Sequence, residues 1–268
     1  MTPFDMKKIY LFVLIFWCLL ISCSKMSTGE KGEQYYEKGD LKKAEEYFLK
    51  AVEESKDNKA MNYLGSLYAK QEKYELAEKY WKMAMETDGD GNKNIPIYNL
   101  GKMYENQNKY DLAEKYYKLA IDNNNKEAHY NLGSLYRELK KYDLAEQYYK
   151  LAIENGNIAS LNELAIIYDI QKKYDLAEKY WKLGVEKDDV VSMGNLGAFY
   201  ARHENEELAE KMLKAAIEKK DVTSMNNLGI LYMKQGKYVQ AKEYLKMALE
   251  NGYDDSKQPL RDIEDMGY

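Results

Sequence analysis

The chain has 268 residues, of which 45% are apolar and 32% are charged, with only three prolines and a formal net charge of −5. This composition excludes an intrinsically disordered chain, and its Lys, Glu, Tyr, Leu and Ala favour helices over a sandwich of short strands. The acidic balance disfavours nucleic acids and anionic lipid surfaces as partners.

The first residues have the pattern of an export signal. Lys7 and Lys8 precede an apolar run at 9–21, which is shorter than the about 20 residues that span a bilayer and matches the apolar region of a secretory signal. The run ends in LISC at 20–23. This ending resembles the lipobox of bacterial lipoproteins, in which the chain is cut before the cysteine and its thiol is diacylated.

The lipobox resemblance implies a lipoprotein signal peptide at 1–22, lipid attachment at Cys23 and a linker at 23–32. Cys18 would be removed with the signal, so the exported chain would hold no disulfide. Several acyl chains give durable membrane attachment, because each buried CH₂ contributes about 0.8 kcal/mol. The predicted location is the bacterial cell envelope, on the periplasmic side or the cell surface. An uncleaved anchor and a generic signal with an incidental cysteine are the alternatives.

A repeated pattern fills the rest of the chain. The stretch KYDLAEKYYKLAI at 109–121 returns at 141–153 and 173–185 with few changes. Each copy has a Leu-Gly pair, or Leu-Ala in one case. A tyrosine follows four residues after the leucine, an alanine thirteen residues after it, and a small residue seven residues after that alanine. Steps of four and seven keep side chains on one helix face, so each copy predicts two helices joined by a short polar turn. The leucines are Leu64, Leu100, Leu132, Leu164, Leu196 and Leu228.

This period and small-large signature resemble the tetratricopeptide repeat, and the junction AIDNNNKEAHYNLG at 120–133 resembles the Sel1-like repeat. The resemblance implies an all-α fold, a right-handed α-solenoid of helix-turn-helix repeats. We expect seven repeats at 33–253, the first one shortened, and a capping helix at 254–268, where Leu260 continues the leucine spacing. The mixture of two repeat types leaves the superhelical pitch open.

The longest junction contains DGDGNKN at 88–94. A calcium-binding EF-hand loop would need Gly at its sixth position and Glu at its twelfth, where this chain has Lys93 and Asn99. Gly and Asn favour turns, so we interpret the segment as a flexible joint and a candidate hinge that divides the stack.

The sequence contains no catalytic or metal-binding constellation. His129 falls in a first-helix core slot, His203 falls in a turn, and the exported chain has no cysteine beyond Cys23. Carboxylates are scattered through the repeats rather than isolated as a pair. We therefore expect no enzyme activity, no catalytic residue, no metal and no cofactor.

Asparagine supplies the signal for a binding site. It precedes the Leu-Gly pair in four copies, and the repeat resemblance implies that this position faces the concave groove. The array resembles the asparagine ladder of O-GlcNAc transferase, which holds extended peptides by their backbones. A primary amide both donates and accepts, so it can pair with any peptide unit. The predicted peptide-binding residues are the ladder Asn99, Asn131, Asn195 and Asn227 and the flanking Tyr98, Tyr130, Asn162, Asn226, Arg137, Arg202 and Lys234.

Two interpretations of these asparagines stay open. Either they bind a peptide, or they only cap or bridge helices; Tyr63 and Glu163 occupy the ladder position in the other two copies. A lysine-rich carboxylate clamp of the chaperone-binding kind is not present in the sequence.

The sequence thus predicts a membrane-tethered scaffold that binds a partner protein or extended peptide in its concave groove, without nucleic-acid or small-molecule substrates. One alternative is an assembly factor for outer-membrane proteins or secretion machinery. Another, without motif support, is a cell-wall-acting enzyme.

Overall fold

A computed structural model describes residues 26–87 and 93–268. The predicted signal peptide, Cys23 and most of the predicted hinge at 88–94 lie outside the described residues. Within them the chain forms fifteen α-helices, a short 3-10 turn and no strand. The helices are α1 (Thr28–Glu37), α2 (Leu41–Ser55), α3 (Asn58–Lys70), α4 (Tyr74–Glu86), α5 (Asn94–Asn106), α6 (Tyr110–Asp122), α7 (Glu127–Glu138), α8 (Tyr142–Glu154), α9 (Ala159–Ile170), α10 (Tyr174–Glu186), α11 (Val190–Arg202), α12 (Glu206–Glu218), α13 (Val222–Lys234), α14 (Tyr238–Glu250) and α15 (Lys257–Asp265).

The predicted fold class, an α-solenoid of helix-turn-helix repeats, is confirmed. Consecutive helices form pairs, in which the odd-numbered helix is the first and the even-numbered helix is the second. The chain divides into two compact units, unit 1 ending at Tyr116 and unit 2 running from Tyr117 to Tyr268. This division lies within α6. A hinge at 88–94 stays a prediction, because residues 88–92 lie outside the described part of the chain. None of the described helices is both long enough and apolar enough to cross a membrane.

Helix α1 begins inside the segment that was predicted to be a linker, 23–32. Ser27 accepts a hydrogen bond from the Glu30 backbone N–H (3.1 Å), and the Glu30 carboxylate accepts one from the Ser27 N–H (2.6 Å). This reciprocal capping box satisfies two backbone donors that would otherwise lack partners. The helix therefore starts at Thr28 and shortens the linker.

The glycine of the Leu-Gly pair sets the distance between the two helices of a pair. A Cβ atom built on Gly133 would lie 2.8 Å from Tyr149 Cδ1, and one built on Gly229 would lie 2.6 Å from Leu245 Cγ. Real Cβ atoms do not approach carbon this closely. Glycine therefore lets a large second-helix side chain pack directly on the first-helix backbone.

A tyrosine–glutamate hydrogen bond links successive repeats. In unit 1, Tyr68 Oη donates to Glu45 Oε1 at 2.7 Å. In unit 2, Tyr200 Oη donates to Glu178 Oε1 at 2.7 Å, and the pairs Tyr168–Glu146 and Tyr232–Glu210 form the same bond at 2.9 Å. In unit 2 each of these glutamates also pairs with a lysine four residues later, at 2.6–2.7 Å. We call each such tyrosine and glutamate a connector.

At the last helix an ion pair takes the place of this hydrogen bond. In α15, Glu264 stands four residues after Leu260, where a full repeat has tyrosine, and Lys242 stands in the glutamate position of α14. Lys242 Nζ lies 3.5 Å from Glu264 Oε1. Leu260 and Ile263 are buried, so α15 covers the apolar side of the last pair, as the end of a repeat stack requires.

Candidate functional site on the first helices

A cavity of about 280 Å³ lies between the first helices α3 and α5 of unit 1. We call it the Trp81 cavity. Its wall combines apolar atoms with polar donors, and it includes Asn99, the ladder residue of this unit. No Asp or Glu is part of its lining. The polar and aromatic lining residues that matter below are Ser66, Lys70, Trp81, Asn99, Lys102 and Asn106.

Two lysines give the Trp81 cavity a positive charge. Lys70 Nζ donates to Tyr36 Oη at 2.9 Å and lies 5.2 Å from the centroid of that ring. Lys102 Nζ lies 5.7 Å from the ring centroid of Tyr98, a predicted site residue that is half-buried. Neither lysine forms an ion pair with a carboxylate of the described residues. Both charges can therefore act on a ligand.

A second cavity, of about 190 Å³, lies between α11 and α13 of unit 2. Three predicted site residues, Asn227, Arg202 and Lys234, line it together with Ala198 and Ile230. Arg202 is already paired with Asp169 through a 2.7 Å hydrogen bond. Lys234 is exposed and pairs with no carboxylate in the described part of the chain. We call this the Asn227 cavity.

Glu163 interrupts the ladder in the middle of unit 2. Its Oε2 lies 3.2 Å from Nε of Arg137, an ion pair that lacks hydrogen-bond geometry. Burial alone would lower the pKa of the Arg137 guanidinium, but the Glu163 carboxylate holds that pKa above its usual value. Arg137 is therefore held by an internal carboxylate.

An aromatic pair lies beside this ion pair. The half-buried Tyr130 ring packs against Tyr149, with centroids 5.9 Å apart, and burial raises the pKa of both hydroxyls, that of Tyr149 to about 12. Asn131, the adjacent ladder residue, is also half-buried.

Two predicted flanking residues, Asn162 and Asn226, are buried inside the stack, whereas the prediction placed them on a surface that binds a peptide. Each is only 5% exposed. Asn162 Oδ1 accepts from Trp181 Nε1 at 3.0 Å and from the ladder residue Asn195 at 2.7 Å, whereas Asn226 Oδ1 accepts from Ser256 Oγ at 2.9 Å. A buried indole N–H or hydroxyl needs an acceptor, and these amides supply it. Both amides therefore join neighbouring elements of the stack.

The structure thus distributes the predicted residues among several places. Tyr98 and Asn99 lie in unit 1, and the others lie in unit 2. Asn227, Arg202 and Lys234 share a cavity, Arg137 faces Glu163, and Asn195 contacts Asn162. Sequence reasoning missed Lys70, which stands six residues after its repeat leucine, as do Arg202 and Lys234. This shared position in the repeat could have identified Lys70 from the sequence.

The chemistry available in these cavities is recognition by amide, ammonium and indole donors. Across residues 26–87 and 93–268, no group of three or more His, Cys, Asp or Glu side chains is placed to hold a metal ion. Both cavities lie between first helices of adjacent repeats.

Comparison with known proteins decides the family. Models of the tetratricopeptide repeat match residues 30–90, 98–157 and 222–251, together more than half of the chain. The chain belongs to the tetratricopeptide repeat family. A tetratricopeptide repeat stack is a protein–protein interaction scaffold, and proteins of this kind are generally not enzymes. No curated protein matches the sequence of this tetratricopeptide repeat protein.

Solved structures with the same fold include both repeat types. The protective antigen c5321 of uropathogenic Escherichia coli, which displays an SLR fold, is 22% identical with a TM-score of 0.64, over 88% of this chain and 56% of that one. A Sel1 repeat protein from Oxalobacter formigenes is 24% identical with a TM-score of 0.60, over 83% and 96%. A tetratricopeptide repeat protein from Parabacteroides merdae is 20% identical with a TM-score of 0.61, over 88% and 95%.

This chain therefore spans just over half the length of c5321 and nearly all of the other two chains. At these identities the likeness concerns the fold alone.

Proposed function

We propose that this tetratricopeptide repeat protein is a membrane-tethered scaffold of the bacterial cell envelope that binds an extended segment of a partner protein along its first helices. The observation that carries the proposal is the pair of cavities between consecutive first helices. Each combines a ladder asparagine with a lysine that has no carboxylate partner, next to apolar side chains. An amide can pair with a peptide backbone while the apolar wall receives side chains.

The tether rests on the sequence of the N-terminal segment. The basic residues, the apolar run and LISC at 20–23 favour lipidation at Cys23 and export to the envelope. An assembly factor for outer-membrane proteins or secretion machinery is a narrower form of the same proposal, distinguished by the identity of the partner.

Site-specific photo-cross-linking in living cells tests the binding face. A photoreactive amino acid is placed at Asn99 or Asn227 on first helices, and at the exposed second-helix residues Lys79 and Lys211 as controls. We expect one partner protein to be attached at the first-helix positions and not at the controls. Adducts that form only at Lys79 and Lys211 would overturn the binding face.

Metabolic labelling with a fatty acid tests the tether separately. We expect Cys23→Ser to abolish incorporation of the label and to release the protein from the membrane fraction. Cys18→Ser is the matched control, because it lies in the segment that cleavage removes, and it should retain the label. Equal labelling of both variants would refute attachment at Cys23.

A further inference from the structure

Trp81 and Asn99, which line the Trp81 cavity, belong with Asn62 to an unsatisfied version of a hydrogen-bond group that is complete in unit 2. In unit 2, Trp181, Asn162 and Asn195 form a closed group, because the Asn162 carbonyl accepts from both partners. The corresponding residues of unit 1 are Trp81, Asn62 and Asn99, spaced identically around their repeat leucines except for the longer junction. There, neither Trp81 Nε1 nor Asn62 Oδ1 has a hydrogen-bond partner among the described residues.

Asn58, which has no asparagine counterpart in the closed group, holds the Asn62 amide in another position. Asn62 Nδ2 donates to Asn58 Oδ1 at 3.2 Å, and Asn58 in turn donates to the Ala84 carbonyl at 2.5 Å and to Thr87. This chain of bonds fixes which way the Asn62 amide is turned. The residue that corresponds to Asn58 in the closed group is Ile158, which cannot accept a hydrogen bond.

A glycine contributes a second difference. Trp81 Nε1 lies 2.5 Å from the position that a Cβ atom on Gly65 would occupy. The corresponding residue next to Trp181 is Ala165, whose Cβ excludes this placement of the indole. Trp81 is only 3% exposed, so its N–H group is buried without a hydrogen bond, which costs free energy. A ligand atom that accepts this bond would recover that free energy.

The other lining groups indicate what the ligand carries. Lys70 and Lys102 donate and cannot accept, and the indole N–H is likewise only a donor. The cavity has no Asp or Glu in its lining. The missing component is therefore an acceptor with negative charge, and bonds from an ammonium group to a carboxylate are about twice as strong as neutral ones.

We propose that the Trp81 cavity binds the carboxylate of an Asp or Glu side chain in the partner segment. The proposal rests on the proposed function of the first-helix face and specifies its ligand chemistry. The Asn227 cavity does not share the arrangement, because it has no tryptophan and its Arg202 already pairs with Asp169. Acidic selectivity therefore belongs to unit 1.

Nuclear magnetic resonance of the indole N–H groups in the full-length protein, purified in detergent, tests the proposal. The probes are two capped peptides, acetyl-Ala-Glu-Ala-Glu-Ala-amide and its counterpart with Gln in place of Glu. We expect the Glu peptide to shift the Trp81 resonance, assigned with Trp81→Phe, and to leave the Trp181 resonance in place. We expect the Gln peptide to bind about tenfold more weakly and the Glu peptide to weaken as salt is raised.

A matched pair of variants tests the cause of the open site. Asn58→Ile should let Asn62 accept from Trp81, as in the closed group, and weaken binding of the Glu peptide about tenfold. Ile158→Asn, the reverse change at the corresponding position, should leave that affinity unchanged. Far-UV circular dichroism establishes that both variants remain folded.

The outcomes separate this proposal from the proposed function. Equal affinity for the two peptides, or no shift of the Trp81 resonance with either, would overturn carboxylate binding at the cavity. Cross-linking at Asn99 and Asn227 tests the first-helix face independently and could still succeed.

Discussion

At the scale of single residues, the glycine of the Leu-Gly pair stabilises the packed helices, although glycine has a low helix propensity. Alanine is favoured over glycine in a helix interior by about 1 kcal/mol. At Gly229, however, an added Cβ would lie 2.6 Å from Leu245 Cγ and 3.2 Å from the Ala241 carbonyl. Overpacking of this kind costs about 1–3 kcal/mol and outweighs the propensity gain.

We therefore expect Gly229→Ala to lower the free energy of unfolding by about 1–2 kcal/mol, measured by urea denaturation. Leu245→Ala provides the control, because it removes the atoms nearest to the new Cβ. The double variant should be less unstable than the sum of the two single variants. Additive effects would show that contact with Leu245 is not the cause.

Some properties of the asparagines could be predicted from the sequence and others could not. Their repeat spacing placed them on first helices, and the structure puts Asn99 and Asn227 in cavities. The burial of Asn162 could not be predicted from spacing, because it depends on Trp181, a large residue on the next helix that needs an acceptor. The identical spacing of Trp81 and Asn62 gives a different result, since Asn58 and Gly65 change the local geometry.

At the scale of helices and turns, the chain uses many residues other than glycine in the left-handed backbone region. The turn between α9 and α10 contains Lys172 at φ 59°, and the corresponding residue between α13 and α14 is Gly236 at φ 68°. A residue with a Cβ loses about 1–2 kcal/mol in this conformation, whereas glycine adopts it without steric strain.

We expect Lys172→Gly to raise the free energy of unfolding by about 0.5–1 kcal/mol, as measured by the urea midpoint. The gain is smaller than the strain because glycine also increases the entropy of the unfolded chain. Lys179→Gly, at an exposed position within α10, should instead destabilise by about 1 kcal/mol. A loss of stability in both variants would contradict the proposed strain at Lys172.

The connectors are the element-scale feature that sequence reasoning did not find. The spacing of tyrosine and glutamate is visible in the printed chain, but the bond joins residues 22 apart in adjacent repeats. We expect Tyr200→Phe to lower the free energy of unfolding by about 1–2 kcal/mol, because Glu178 loses a partially buried donor. Thermal unfolding followed by circular dichroism measures this effect.

A double-variant cycle with Glu178→Gln isolates the bond from other effects of each change. The coupling free energy between Tyr200 and Glu178 should be at least about 0.5 kcal/mol. Tyr180→Phe is the comparison, because this tyrosine lies on the same second helix as Glu178 and is not a connector. A coupling near zero would mean that the hydrogen bond does not contribute to stability.

The architecture itself followed from the sequence because its determinants are local and repeated. A period of 32 residues, small residues at fixed steps and short polar turns leave few arrangements other than stacked helical pairs. The start of α1 was missed, although SxxE at 27–30 is a capping-box signature. The division within α6 could not be predicted, since the sequence of α6 repeats that of its neighbours.

At the scale of the whole molecule, stability depends on tyrosines that stay neutral. Burial raises the pKa of Tyr149, Tyr168 and Tyr200 to about 12, and for the last two the bond to a connector glutamate adds to the increase. In the unfolded chain a tyrosine has a pKa of about 10. A group whose pKa is raised on folding contributes stability that is fully present below the unfolded pKa and is lost as the pH rises through the folded pKa.

We therefore expect the protein to lose stability progressively between about pH 10 and about pH 12. The far-UV circular dichroism should fall in the same range in which the near-ultraviolet absorbance of the buried tyrosinates appears, because ionisation and unfolding are coupled. Exposed tyrosines should ionise first, near pH 10, without loss of helix. If all tyrosines ionised near pH 10 while the helices remained intact, the connector hydrogen bonds would not be formed in solution. The packing between successive repeats would then have to rest on apolar contacts alone.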